Sequence, residues 1–249
     1  MPNRLKLVVA YDGAPFAGWQ SQKNGQAVQD HLERAVAVVT GRNLRLHGAG
    51  RTDAGVHALA QTAHVDLPDR SLAAAQWPAA LNASLVPAIR VLRCTYVPDT
   101  FHARFSARGK LYRYRIWNDR ILPPFEVGRA WQVAAPLDLA IMAEAARACV
   151  GRHDFASFAA NRGKAEHDTV RTMETVRVRR HGRCLTVEVA GDGFLYKMVR
   201  LMVGALVRAG RDPSTAGEIR VRLRDSARAF AAPRFAAPAE GLILVRVRY

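Results

Sequence analysis

Hydrophobic and polar residues follow two spacings in the first part of the chain, that of a strand and that of a helix. Alternation from Leu5 to Tyr11 predicts a strand. Apolar residues then recur at helical spacing before a stop signal at Gly41: Val28, Leu32, Ala35, Val36 and Val39. Strands are predicted on both sides of residues 48–57, followed by an alanine-rich helix from about Ser71 and a strand from Ile89 to Val97. The predicted order is β-α-β-β-α-β.

A comparable order of elements starts again at Lys110. The predicted elements are a strand through Tyr112, Tyr114 and Ile116, a helix from Asp138 to Val150, strands through Val176 and Val178 and from Leu185 to Val189, a helix from about Leu195 to Ala209, and a strand from Leu242 to Val247. The polar stretch from His153 to Asp168 predicts a long loop. We therefore expect an α+β fold with two ferredoxin-like β-α-β-β-α-β halves, residues 1–108 and 109–249, that share one largely antiparallel sheet with helices on one face.

The composition is typical of a protein that folds around its own core in a reducing compartment. A chain of 249 residues with 49% hydrophobic content can bury a substantial core. The cysteines at 94, 149 and 184 are odd in number and widely spaced, so we expect neither a disulfide framework nor a zinc site. The first apolar run is short for a signal peptide, and no stretch approaches the roughly 18 apolar residues of a membrane-spanning helix. We expect a cytoplasmic protein without a membrane segment.

The charge of the chain indicates a polyanionic partner. Its 37 lysines and arginines against 21 aspartates and glutamates give a net charge of +16. Such a field attracts phosphates and is otherwise costly in self-repulsion. Nucleic acid is therefore the expected partner, although charge alone does not specify which nucleic acid.

Residues 48–57 form a glycine-rich segment that places one carboxylate, Asp53, beside Arg51 and Thr52. The glycines allow positive φ and the close approach of another backbone, and flanking strands would hold the loop rigidly. A rigid loop of this kind is suited to present a reactive side chain. The alternative is structural, because an aspartate in a glycine-rich turn commonly bonds to its own backbone.

Residues 50–57, Gly-Arg-Thr-Asp-Ala-Gly-Val-His, resemble the signature of the TruA-type tRNA pseudouridine synthases. Further motifs follow in the order of that family: Tyr11-Asp-Gly13, Gly18-Trp-Gln20, Val28-Gln29, Phe101-His-Ala-Arg104, Tyr112-Arg-Tyr114, Phe194 to Arg200 and Glu240-Gly-Leu242. The resemblance covers essentially the whole chain. It implies a cofactor-free isomerase that converts uridine to pseudouridine at positions 38, 39 and 40 of the tRNA anticodon stem-loop. It also implies a homodimer that binds tRNA, with a catalytic cleft between the two halves of the chain.

The resemblance also implies a role for four residues of this sequence, and position and the planar guanidinium indicate one for Arg51. Asp53 matches the nucleophile, and Arg200 matches the arginine that pairs with it. Tyr112 matches the tyrosine that stacks on the target base. Arg51 would fill the gap left by the flipped nucleotide or hold a phosphate, and Leu242 matches a position that packs against the uracil.

Each of these assignments has a structural alternative. Arg200 shares helical spacing with Lys197, Gly204 and Arg208, and these residues could form only a solvated helix face. Tyr112 could be a core residue of an alternating strand. Arg51 could be an ordinary surface residue, and Leu242 could simply begin the last strand. No histidine, cysteine or acidic cluster has the spacing of metal ligands, since His57 and His102 stand alone, so no metal is expected.

Three other functions remain open from the sequence. A pseudouridine synthase of similar fold could act at another target position. A catalytically silent tRNA-binding module could have kept the Asp53 loop for its shape. A ribonucleoside hydrolase would use a carboxylate in a similar way, but it would need an activated water and would release free uracil.

Overall fold

The computed structural model describes residues 3–23, 25–160, 168–224 and 235–249. The chain divides into two compact units, one of residues 1–108 with 243–249 and the other of residues 109–242. The elements of the first unit are β1 (Arg4–Tyr11), α1 (Val28–Thr40), β2 (His47–Gly48), β3 (His57–Asp66), α2 (Trp77–Asn82), β4 (Ile89–Val97) and all but the first residue of β10 (Leu242–Arg248).

The strands of the first unit follow the order of a ferredoxin-like sheet. β1 lies between β4 and β3 and is antiparallel to both. β2 pairs antiparallel with β3 at His64 and Ala63, while β10 pairs parallel with β3 at His57 and Ala58. The first four strands therefore have the order β4-β1-β3-β2, which the β-α-β-β-α-β pattern predicts.

The core of the first unit follows directly from the apolar spacing. Leu5, Leu7 and Val9 are fully buried and alternate with half-buried residues along β1. Helix α1 buries Leu32 and Val36, and Gly41 caps its C-terminus. Gly41 has a φ of 69°, and its N–H donates to the Ala37 carbonyl oxygen over 2.8 Å. Each fully buried aliphatic side chain contributes about 1.5–3 kcal/mol, so these faces stabilise the scaffold of the Asp53 loop.

The second unit is also a layer of strands with helices. Its elements are β5 (Gly109–Trp117), β6 (Trp131–Gln132), α3 (Leu139–Arg147), β7 (Gly151–Asp154), β8 (Val170–His181), β9 (Cys184–Gly191), α4 (Met198–Arg211) and α5 (Glu218–Arg224). The strand order is β5-β9-β8-β7 with antiparallel pairing, and β6 pairs parallel with β5. Helix α3 packs against α4 and β8. Its N-terminus is capped by the Asp138 carboxylate, which accepts from the Ala140 and Ile141 N–H groups.

The predicted α+β class with largely antiparallel strands is confirmed, and the differences are local. Residues 151–154 form strand β7 and residues 156–158 a short 3-10 helix, where a loop was predicted from His153. Residues 161–167 of that predicted loop lie outside the described residues. Helix α2 begins at Trp77 and not near Ser71. Pro78 explains this start, because proline fits the first turn of a helix but breaks a helix interior.

Two further features concern membrane spans and cysteine side chains. Within the described ranges, no helix is both long enough and apolar enough to span a bilayer. Cys94, Cys149 and Cys184 are all free thiols. Burial raises the pKa of both Cys94 and Cys149 to about 12, so these two thiols are not poised as nucleophiles.

His64 on β3 is a buried titratable residue in a group of three histidine rings. Its ring stacks on His47 with centroids 5.1 Å apart and meets the His102 ring edge-on at 4.6 Å. Its Nδ1 accepts from the Ala103 N–H over 3.1 Å. Burial, together with the positive charge of Arg4, lowers the pKa of His64 to about 4. His64 is therefore neutral in the folded protein at neutral pH.

We expect the stability of the protein to fall with acidification because of His64. The unfolded chain takes up a proton on this residue near pH 6.5, while the folded protein takes it up only near pH 4. Above about pH 6.5 His64 is neutral in both states and costs no stability. As the pH falls from 6.5 toward 4, the free energy of unfolding decreases by up to about 3 kcal/mol. Urea unfolding at several pH values measures this slope. His64→Asn keeps an acceptor for Ala103 without titrating, and an unchanged slope in this variant would contradict the assignment.

Candidate active site

A tight turn in the first unit carries the Asp53 carboxylate. The Val56 N–H donates to the Asp53 carbonyl oxygen over 3.1 Å, which closes a turn over residues 53–56. Gly55 at the third position of this turn has a φ of 78°, a conformation that suits glycine in a type II turn. Asp53 itself is half-buried. Asp53 therefore takes the first position of a tight turn in the segment between β2 and β3.

Side chains from neighbouring strands brace this loop. The Tyr11 hydroxyl and the Thr52 hydroxyl form a buried hydrogen bond of 2.8 Å. Gln61, which is fully buried, donates to the Gly50 carbonyl oxygen over 3.0 Å. The backbone N–H of Trp19, in the segment between β1 and α1, also donates to the Thr52 carbonyl oxygen, over 3.1 Å. Burial raises the pKa of Tyr11 to about 12, so its hydroxyl stays protonated and the brace persists at physiological pH.

The backbone at Gly13 and Gly18 also packs closely against the Asp53 loop. Glycine makes this close approach possible because it has no Cβ. Gly18 has a φ of 93°, and a Cβ there would lie 2.7 Å from the Thr52 carbonyl oxygen and 3.1 Å from the Ala54 nitrogen. Gly13 likewise packs against the Val56 backbone. The sequence predicted glycine-dependent packing within the loop itself. The structure shows that glycines of the preceding segment contribute as well.

Gly18→Ala is expected to destabilise the protein more than Gly41→Ala. Both glycines have positive φ, but a Cβ at Gly41 meets nothing within 4 Å. Gly41→Ala thus measures backbone strain alone, about 1 kcal/mol, and the clash with Thr52 should add about 1–3 kcal/mol at Gly18. Urea unfolding of the two variants gives the difference. Equal losses would show that the Thr52 backbone moves away without cost.

Arg51 and His57 lie on either side of Asp53 in the chain. The Arg51 side chain is exposed, and its Nε donates to Gln20 Oε1 over 3.2 Å. His57 is buried, with its Nδ1 3.1 Å from Asp12 Oδ1 and 3.0 Å from the Gly13 nitrogen, which donates to it. His57 therefore holds residues 12–13, which follow β1, against the start of β3. Among the described residues, no group of three or more histidine, cysteine or acidic side chains could hold a metal ion.

Two tyrosines lie on one face of β5 in the second unit. Tyr112 is 7% exposed, and its ring meets the Phe194 ring edge-on with centroids 5.0 Å apart. Tyr114 is fully buried and donates its hydroxyl to the Pro238 carbonyl oxygen over 2.8 Å. The Tyr114 side chain therefore has a packing role, and its hydroxyl already has an acceptor. Tyr112 retains a small exposed fraction beside Phe194.

Arg200 lies in the first turn of α4 and holds the segment that precedes β10. Its Nε donates to the Ala237 carbonyl oxygen over 2.7 Å, and the Ala237 N–H donates back to the Arg200 carbonyl oxygen over 3.0 Å. The solvated-face alternative is wrong for this helix, since Arg200 is half-buried and Gly204 is buried against the Phe235 backbone. Of the residues in that alternative, only Arg208 is exposed.

Residues 237–242 pack against Arg200 and Tyr114. A Cβ at Gly241 would lie 2.6 Å from the Tyr114 ring, so only glycine fits there. Leu242 follows and is 6% exposed. Burial raises the pKa of Tyr114, while the positive charge of Arg200 lowers it, so the guanidinium acts on this ring as well. The second unit therefore brings Arg200, Tyr114 and the start of β10 together.

The backbone conformation of Lys197 could not be predicted from helical spacing. It has a φ of 59° and is the one non-glycine residue with positive φ in the described part of the chain. Helix α4 consequently begins at Met198 and not at Leu195 as predicted. Non-glycine residues in this conformation cost about 1–3 kcal/mol and cluster at functional sites. Its position directly before the turn of Arg200 agrees with that tendency.

The predicted site residues are thus divided between the two units. Arg51 and Asp53 lie on the braced loop of the first unit, while Tyr112, Arg200 and Leu242 lie in the second. Sequence reasoning missed the residues that support them, among them Tyr11, Gln20, Gln61 and Tyr114. Their motifs drew attention to some of these positions, but a pattern of residues contains no information about which distant side chain bonds to which.

Known proteins resemble the whole chain and not only the Asp53 loop. The sequence profile described as tRNA pseudouridine synthase matches residues 7–106 and 145–249. The tRNA pseudouridine synthase A of Akkermansia muciniphila is 45% identical over 252 residues, which cover 99% of this chain and 95% of that protein. The protein of the same name from Rhodospirillum rubrum is 47% identical, with 99% of this chain and 87% of that protein covered.

Comparison with solved structures adds little to this result. A chain of a Cbf5-Nop10-Gar1 complex aligns with 97% of this chain at 12% identity and a TM-score of 0.35, over 47% of its own length. At that score the likeness carries no argument about the site. The profile match and the full-length identity decide the assignment: the chain belongs to the tRNA pseudouridine synthase family and is an isomerase that acts on tRNA.

Proposed function

We propose that this enzyme isomerises uridines 38, 39 and 40 of the tRNA anticodon stem-loop, with Asp53 as nucleophile and no cofactor. The observation that carries the proposal is the braced loop, in which the half-buried Asp53 stands one residue from Thr52 and two from the exposed Arg51. A rigid carboxylate beside an exposed guanidinium suits a reaction at a ribose carbon next to an RNA phosphate.

The reaction balances without any oxidant or reductant. Attack of the Asp53 carboxylate on the ribose C1′ breaks the N-glycosidic bond, and the electron pair of that bond leaves with the uracil. The uracil turns within the site and its C5 attacks C1′, which expels the carboxylate. Loss of the proton from C5 and protonation of N1 complete the isomerisation. The retained base must outcompete water, so the site has to exclude solvent during the turn.

The remaining roles concern the base and the charge on the nucleophile. We propose that Tyr112 stacks on the flipped uracil, which is worth about 1–3 kcal/mol per base, and that Leu242 packs against it. Arg200 is the proposed ion partner of Asp53. Arg51 contacts the RNA beside the extruded nucleotide.

The proposal extends to the assembly and the place of action. The net charge of +16 suits a surface that follows the phosphates of tRNA. We propose a homodimer in which one tRNA contacts both subunits, acting in the cytoplasm. Sedimentation with and without tRNA tests the assembly, since a strictly monomeric protein that still modifies tRNA would contradict the dimer.

Unmodified tRNA transcripts that carry tritium at uracil C5 test the reaction. We expect one tritium released for each pseudouridine formed, with no free uracil, and carbodiimide mapping should place the modified bases at 38, 39 and 40. Release of free uracil would instead indicate a hydrolase. Binding without tritium release would indicate a silent RNA-binding protein, and modification at other positions would overturn the proposed target.

A further inference from the structure

We propose that Gln20 is a positioning residue that orients Arg51 toward the RNA, and that the buried Gln29 fixes the orientation of Gln20. The inference rests on the proposed function, because it assigns a task to Arg51 in RNA modification. The juxtaposition that carries it is a row of three polar side chains, from the first turn of α1 through the segment after Trp19 to the loop before Asp53.

The orientation of the Gln29 amide is determined by two backbone groups. Gln29 is 2% exposed, and its Oε1 accepts from the Ser21 N–H over 2.9 Å while its Nε2 donates to the Leu46 carbonyl oxygen over 3.0 Å. A backbone N–H can only donate and a carbonyl oxygen can only accept. Reversal of the amide would therefore oppose donor to donor and acceptor to acceptor. The Gln29 oxygen must face Ser21.

The remaining bonds of Gln29 leave it no freedom. Its Nε2 also donates to Glu33 Oε1 over 2.8 Å, and its Oε1 also accepts from Gln20 Nε2 over 2.7 Å. Glu33 is itself held, because the same oxygen accepts from the Leu46 N–H over 3.0 Å. All four hydrogen-bonding sites of the Gln29 amide are used. A buried amide satisfied in this way has one stable position.

The fixed Gln29 determines which end of Gln20 faces the catalytic loop. Since Gln29 presents an oxygen, Gln20 must present its Nε2 to it, and this turns Gln20 Oε1 toward Arg51. That oxygen accepts from Arg51 Nε over 3.2 Å. The guanidinium is planar, so a bond at Nε fixes the plane in which its terminal N–H groups lie. The row of amides thus orients an exposed side chain that is otherwise flexible.

The orientation of Arg51 is useful because of its place in the chain. It lies two residues before Asp53, on the backbone that Tyr11 and Gln61 brace. An arginine with a preset plane loses less freedom when it meets a phosphate or a base, and it meets that group at the same place in every turnover. Gln20 is therefore expected to affect the reaction rate only through Arg51.

A double-mutant cycle in single-turnover pseudouridine formation, at saturating enzyme, tests this inference. Gln20→Met keeps the length of the side chain and removes its donor and acceptor, and we expect the rate to fall about tenfold. Arg51→Met should lower the rate at least as much. Adding Gln20→Met to Arg51→Met should change the rate by less than about twofold, because the group that Gln20 orients is already gone.

Gln22→Met is the matched control. Gln22 is exposed and donates to the Ala17 carbonyl oxygen over 2.7 Å, so the same substitution two residues away should leave the rate unchanged. Thermal unfolding shows whether Gln20→Met folds, as expected since Ser21 still satisfies Gln29 Oε1. If it folds poorly, Gln20→Ala repeats the cycle.

The outcomes separate this inference from the proposed function. A wild-type protein that forms no pseudouridine in the anticodon stem-loop would overturn the proposed function. A wild-type protein that is active, with Gln20→Met at full rate or with the two losses multiplying, would overturn only the role of Gln20. Non-additive losses with an unchanged Gln22→Met control support it.

Discussion

Asp53→Asn is expected to abolish pseudouridine formation while tRNA affinity stays within about twofold of the wild type. The amide has the shape of the carboxylate, but it carries no negative charge and is a poor nucleophile at a ribose carbon. Removing the attacking group of a covalent mechanism costs at least about 10⁴-fold in turnover. The Tyr11 to Thr52 and Gln61 to Gly50 bonds do not involve the Asp53 side chain, so the loop should keep its shape.

Tritium release from C5-labelled tRNA measures the loss, and nitrocellulose filter binding measures the affinity. Asp69→Asn is a matched control, because Asp69 lies in an exposed turn of the same unit, where its Oδ1 accepts from the Ser71 N–H over 2.9 Å. Asparagine can make the same bond, so this variant should keep full activity. An Asp53→Asn enzyme with more than about one hundredth of wild-type turnover would refute Asp53 as the nucleophile.

The local pattern of residues predicted the scaffold of the first unit well because its elements depend on short-range spacing. The strand from Ile89 to Val97 is predicted to the residue, and α1 ends at Thr40, directly before the predicted stop signal at Gly41. The start of α2 was wrong, although Pro78 was visible in the sequence. Alanine content indicates a helix but not where it begins, whereas proline fixes the first turn.

The supports of the candidate site could not be predicted because they join residues far apart in the chain. Gln20 lies 31 residues from Arg51, and Tyr114 lies 124 residues from its acceptor Pro238. No periodicity links such pairs. The positive φ of Lys197 was equally hidden, since that conformation is imposed on a residue that does not favour it. The resemblance predicts a role for several residues, and the structure shows what holds some of them in place.

Arg200→Met should lower both stability and activity, because Arg200 has a structural bond and a proposed catalytic charge. Loss of the Nε bond to the Ala237 carbonyl oxygen leaves residues 237–242 less firmly held, at a cost of about 1–3 kcal/mol in the free energy of unfolding. If Arg200 also pairs with Asp53, its removal takes away the charge that supports the nucleophile, and turnover should fall about 10²–10³-fold.

Arg200→Lys separates these two effects. Lysine keeps the positive charge but has no donor at the position of Nε, so the stability loss should remain while part of the activity returns. Arg208→Met is the control on the same helix, where the side chain is exposed and pairs with Glu218 over 3.1 Å. Exposed pairs of this kind contribute about 0–1 kcal/mol, so this variant should stay close to wild type in urea unfolding and in tritium release. Full activity in Arg200→Met would remove Arg200 from the proposed mechanism and leave it only the task of holding the segment before β10.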